Sequence, residues 1–176
     1  MTSKLKVDTI TPNTVAVIDA PWKILQIVQT SITANTASTT STSFVDITGM
    51  TVDITPSSAS SKVLVVINLN ASATPAGGYM AIIKLLRGAT DIFIGNQADS
   101  NRARATFVSR TYSNQSVNNM AGQFLDTPST TSATTYKLQW FTESGGTAHL
   151  NLANAGSDIA KYGTTVSTMT VMEIGA

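Results

Sequence analysis

The stretch MTVDITPSSASSKVLVVINLNA, Met50 to Ala71, decides how the rest of the chain is read. Met50, Val52 and Ile54 alternate with Thr51, Asp53 and Thr55. The polar break Pro56 to Ser61 follows, and then the strongest apolar run of the chain, Lys62 to Ala71. Period-two alternation rich in β-branched residues marks a strand, and a Pro/Ser cluster marks a turn, so the stretch reads as a central hairpin. In its second strand Val63, Val65, Ile67 and Leu69 share one face. Leu64 and Val66 lie on the other, which is therefore half apolar too. A strand of an antiparallel sandwich normally needs only one dry face. The second face must be covered, and another subunit is the expected cover.

Outward from this hairpin the same signal recurs. Lys23 to Thr33 is a long first strand, and Phe44 to Ile47 with Gly49 leads into the hairpin. Tyr79 to Leu86 is the next long strand; its length and glycine flanks favour a strand over a buried helix. Ile92 to Ile94, Thr106 to Tyr112 and Met120 to Leu125 follow, with polar loops at 95–105 and 113–119. Tyr136 to Thr142 places Tyr136, Leu138 and Trp140 on one face, and Gly145-Gly146 reads as a tight return into Thr147 to Leu152. The closing strand, Val166 to Ile174, is apolar on both faces: Met169 and Val171 on one, Met172 and Ile174 on the other. A strand that dry is no solvated edge. Nine or ten strands with no long helix predict an all-β antiparallel sandwich over residues 22–176.

Residues 1–21 read differently. Leu5, Val7, Ile10, Val15 and Val17 supply strand-like apolar positions, but Pro12 and Pro21 break them into short pieces. The segment is expected to be an extended arm docked on a partner, against the alternative of a frayed terminus.

At 176 residues the chain is long enough for one domain with a sizeable core. Its 42% hydrophobic content is ordinary, whereas 12% charged is about half the usual share, and Ser and Thr fill the gap. A hydroxyl-rich, weakly charged surface suits β structure and packing among many copies. The net charge of +1 makes no electrostatic case for nucleic acid or an anionic membrane. No apolar run is long enough to insert in a membrane as a helix, and the N-terminus has no signal-peptide core, so folding in a cytoplasm is expected. The absence of cysteine removes disulfide, thiol and Cys-zinc chemistry.

Catalytic chemistry finds little footing. His149 is the only histidine, and between Ala148 and Leu150 it reads as an outward polar residue of a strand. Asp46 and Asp53 flank one turn, but as solvated residues beside a loop rather than a facing acid pair. Asp91 and Asp99 to Asn101 match no recognised calcium loop, although an ion at a loop or on a symmetry axis stays open. No catalytic, metal or cofactor residue is assigned. One polar constellation stands out: Arg102, Arg104 and Arg110 with Tyr112 and Asn114. Arg and Tyr are favoured at binding surfaces, so these five are candidates for contact with a receptor or a neighbour, against an ordinary solvated loop.

The run Phe44 to Val65, together with Ile24 to Thr30, Lys84 to Asp91, Tyr136 to Gln139 and Thr168 to Ile174, resembles a jelly-roll domain of tail-fibre and other virion proteins of marine and cyanobacterial tailed phages. Leu5 to Pro12 is similar to segments at the start of such proteins. The resemblance implies a jelly-roll sandwich, a homotrimer, and a place in the virion after assembly in the host cytoplasm. No long shaft separates arm and domain, which departs from a typical fibre. Two roles are expected, both non-enzymatic. One is a trimeric tail-fibre or receptor-binding module, its arm on a tail adaptor or nozzle and its loops on a host glycan or receptor. The alternative is a capsid decoration protein lying on the major capsid protein. A carbohydrate-active enzyme or lectin is a weaker third. In either main role Leu64, Val66, Met172 and Ile174 are expected at the subunit interface.

Overall fold

The computed structural model describes residues 22–96, 101–113, 115–153, 158, 160 and 162–175. Alternation of buried and exposed residues produces the strands. They run β1 (Ile24–Ile32), β2 (Ser38–Thr39), β3 (Val45–Ile54), β4 (Lys62–Thr74), β5 (Tyr79–Arg87), β6 (Thr90–Ile92), β7 (Phe107–Thr111), β8 (Asn118–Asp126), β9 (Thr134–Thr142), β10 (Thr147–Leu150) and β11 (Ser167–Ile174). The chain is all-β, as expected, with two antiparallel sheets forming a sandwich. In one sheet β4 lies between β11 and β8, and β1 pairs with β11. The short β10–β2 pair extends β4 beyond β11. In the other sheet β9 lies between β3 and β5, and the far edge of β5 takes β7 and β6.

The eight long strands therefore form two four-stranded layers, β1-β11-β4-β8 and β3-β9-β5-β7. Between long strands the chain crosses layers at every step except from β5 to β7. This wrapping is that of a jelly roll. β11 sits between β1 and β4, so the dry closing strand is internal, as its two apolar faces required.

The stretch from Met50 to Ala71 is not a hairpin. β3 and β4 lie in different sheets and share no ladder. The physical reason lies in the connection. Tight hairpins close through two to five residues, favouring glycine at positive φ. Pro56 to Ser61 contains no glycine and is long enough to arch over the ~10 Å between stacked sheets. Both strands then aim their dry faces into one interior. Gly145-Gly146 likewise leads across the sandwich, since β10 pairs with β4 and β2. The two pieces read as Phe44–Ile47 and Met50–Ile54 are one strand, β3, kinked by a bulge. Gly49 at the kink has φ +83°, and a Cβ there would meet Ile32 Cδ1 at 2.5 Å. The bulge changes the phase, so that Ile47 and Met50 both point inward although three residues apart.

The interior is built from Val63, Val65, Ile67 and Leu69 of β4, Met169 and Val171 of β11, and Ile83, Leu85, Tyr136, Leu138 and Trp140 opposite, each at most 2% exposed. Polar ties lock the layers. Arg87 on β5 donates through Nη1 to both oxygens of buried Asp126 on β8, at 2.8 and 2.9 Å. The Tyr136 hydroxyl on β9 donates to the same carboxylate at 2.6 Å. Burial first, and then the neighbouring Asp126, hold the Tyr136 phenol far above its ordinary pKa. Asn151, fully buried, donates to Ile32 O at 2.7 Å and accepts from Ser167 Oγ at 2.6 Å.

Candidate interaction surface

The outer face of the β1-β11-β4-β8 layer carries the least expected arrangement. Strand register aligns Leu125 with Leu64, Leu64 with Met172, and Met172 with Ile27. Four apolar side chains thus form one row across four strands, on the side facing away from the core. Ile27 is 58% exposed and Leu125 44%, while Leu64 and Met172 are half-buried. Toward one end the face continues to Ile174, its register partner Ile24 and the exposed ring of Trp22, over which the Lys62 ammonium sits 4.8 Å from the centroid. In the other direction it turns polar. The next row is Gln29, Thr170, Val66 and Gln123, with Gln29 Nε2 donating to Thr170 Oγ1 at 2.7 Å. Beyond it, Asn119 donates to both Asn68 and Asn70.

The outer face of the other layer is different in kind. Asp46 accepts from Gln139 at 2.7 Å and from Lys137 at 3.0 Å, and Lys84 pairs with Asp91 at 2.8 Å. The bonds from Gln139 and Lys137 hold the Asp46 carboxyl below its ordinary pKa. Asp53 accepts from Thr135 on the neighbouring strand. Asp46 and Asp53 therefore belong to a cross-strand polar lattice on β3, not to a loop. Such a lattice is at home in water; a row of Leu, Met and Ile is not.

Leu64, Val66, Met172 and Ile174 all lie on this one outer face, Leu64, Met172 and Ile174 in its apolar part and Val66 in the first row of the polar part. Trp22, Ile24, Ile27 and Leu125 belong to the same face and were not singled out from the sequence. The signal was present in β1, where both phases of the alternation carry apolar residues.

The arginine cluster is divided. Arg110 on β7 donates Nε to Gly78 O at 3.1 Å, and its guanidinium lies 4.9 Å from the ring of Tyr112, which is 69% exposed. Gly78 has φ +105°, and a Cβ there would fall 2.8 Å from Arg110 Nη2. Arg104 lies at the other end of β7, donating Nε to Gly95 O at 2.9 Å. Arg102 is exposed in the segment before β7. Asn114 lies outside the described residues, as do Leu5, Val7, Ile10, Val15 and Val17 of the arm.

His149 corrects its expectation. It sits on the outward phase of β10 but is only 8% exposed and shares a 3.0 Å hydrogen bond with Thr74 Oγ1. Burial lowers its pKa. Among the described residues no three His, Cys, Asp or Glu side chains gather as a metal site.

No protein-family model and no curated protein matches the chain. Among solved structures, the structure of infectious bursal disease virus Gx strain is similar at 15% identity and a TM-score of 0.39. The match covers 97% of this chain and 46% of that one, so this chain spans just under half the length of the viral protein.

Proposed function

We propose that the chain is a non-enzymatic structural subunit of a phage virion: a homotrimeric tail-fibre or receptor-binding module that attaches through residues 1–21. The apolar row Ile27, Met172, Leu64 and Leu125 carries this reading. A large buried aliphatic side chain is worth about 1.5–3 kcal/mol, so covering the exposed halves of Ile27 and Leu125 contributes about 1 kcal/mol each per subunit. Trp22 and Ile24 add to this. The polar lattice of the opposite sheet gains nothing comparable from being covered, which leaves it as the outer wall. The resemblance of Phe44 to Val65 and its companions to phage jelly rolls supplies the biological setting, and three copies per module let weak host contacts add by avidity.

Sedimentation of the purified chain and competition with phage for host cells form the test. A trimer that blocks adsorption is expected. Leu64→Asp places a charge in the middle of the row and should yield a folded monomer with a native far-UV spectrum. A monomeric wild type, or a variant that remains trimeric, overturns the interface. Quantified copy number in the particle separates the roles, since tens of copies fit a tail and hundreds would move the protein to the capsid as a decoration subunit.

A further inference from the structure

A hollow of 650 Å³ opens where β6 leaves β5, lined by Phe93, Phe124, Asp91, Gly95, Arg104 and Thr106 among others. Its volume falls in the range of small-ligand sites. Phe93 has φ +49°, in the left-handed region that a bulky residue keeps only where its surroundings hold it. Ring packing does the holding. The Phe93 ring stacks on Phe124 with centroids 5.3 Å apart, and meets Phe107 edge-on at 6.4 Å. Gly122 leaves the space these rings need: a Cβ there would fall 2.9 Å from Phe107 and 3.2 Å from Phe93. Even so, Phe93 remains 37% exposed. Backbone strain is thus spent on holding an aromatic ring at an open wall.

The polar side of the hollow is equally fixed. Gly95 N–H donates to Ala105 O at 3.0 Å, while Gly95 O accepts from Arg104 Nε at 2.9 Å. The Nε bond orients the guanidinium of this exposed residue at the rim of the hollow, where a planar acceptor suits it. Among the described residues, the charged ones lining the hollow are Asp91, which Lys84 holds at 2.8 Å, and Arg104, so the hollow suits an anion on Arg104. An aromatic wall beside an oriented guanidinium suits a ligand with an apolar ring face and a carboxylate, which Arg grips through two parallel hydrogen bonds.

We propose that this hollow binds a carboxylate-bearing saccharide, its pyranose face against Phe93 and Phe124 and its carboxylate on Arg104. The proposal rests on the receptor-binding reading above and names the ligand class of that module. Titration of the full chain with trigalacturonate, and with the neutral galactose trimer as control, followed by NMR, provides the test. Trigalacturonate should bind. Arg104→Ala should weaken it about tenfold or more, and Arg104→Lys should recover only part of the loss. No binding at millimolar sugar, equal binding of the neutral trimer, or indifference to Arg104→Ala overturns the proposal. Sedimentation of the same samples keeps the two failures apart: a trimer that binds no uronate sinks the ligand assignment alone, whereas a monomer sinks the assembly.

Discussion

Glu173 offers the sharpest test of how the two layers are joined. It lies on the inward phase of β11 and is fully buried. Its Oε1 accepts from both the backbone N–H and the hydroxyl of Ser57 at 2.7 Å, and Oε2 accepts from Gln26 Nε2 at 2.6 Å. Ser57 belongs to the connection that carries the chain from β3 to β4, so this carboxylate pins that corner to β11 and β1. Desolvation pushes the carboxyl upward, but the donors from Gln26 and Ser57 outweigh it and bring the pKa to about 2, from an ordinary 4.5. A folded-state pKa below the unfolded one means the unfolded chain takes up the proton first. The stabilisation is therefore complete above pH 4.5 and drains away as pH falls toward 2. A depression of this size corresponds to about 3 kcal/mol. Glu173→Gln keeps the shape but has one acceptor oxygen and turns an amide NH2 toward a donor. It should cost about 2–3 kcal/mol at pH 7, the scale of hydrogen bonds to a charged group. Urea titrations read by fluorescence of the buried Trp140, at one protein concentration and from pH 7 to pH 2, measure both stabilities. The difference between wild type and variant should shrink below about 1 kcal/mol at the acid end, once both side chains are neutral. A difference that stays constant with pH would refute the reasoning, because the carboxylate's charge would then contribute nothing.

Other expectations follow from single positions. Gly49→Ala forces a side chain onto a φ of +83° and against Ile32, and should cost about 2 kcal/mol or more in denaturant titration. Tyr136→Phe removes one donor from buried Asp126 while Arg87 stays bound, for a loss of about 1–3 kcal/mol. Lys137→Ala, by contrast, removes a half-exposed pair with Asp46 and should shift the urea midpoint by less than about 1 kcal/mol equivalent. A loss as large as that of Tyr136→Phe would mean that the outer lattice is structural rather than solvated.

Several features of the site were legible because they depend on phase alone. Alternation placed Leu64 and Val66 opposite Val63 and Val65, and Met172 opposite Val171, whatever the neighbours. The same rule put Glu173 in phase with Met169 and Val171, yet a carboxylate at an inward position is interpretable only once Ser57 and Gln26 are seen around it. Arg104 and Arg110 looked like one cluster because sequence distance hides direction; a strand between them sends them to opposite ends. His149 looked solvated because its phase is outward, and phase says nothing about what packs beside that position, Thr74 included.

From the amino-acid order alone came the strands, their dry faces, the internal place of β11 and the surplus of apolar side chains, because the direction of a side chain on a strand depends only on its local backbone. Which strand lies beside which was settled by tertiary structure. A period-two pattern is the same for two strands paired in a hairpin and for two strands facing each other across a core. The choice between these falls to the connection between them and to how the interior is filled, as β3 and β4 demonstrate. The row of Ile27, Met172, Leu64 and Leu125 exists for the same reason: its members are scattered along the chain from position 27 to position 172 and meet only through strand register.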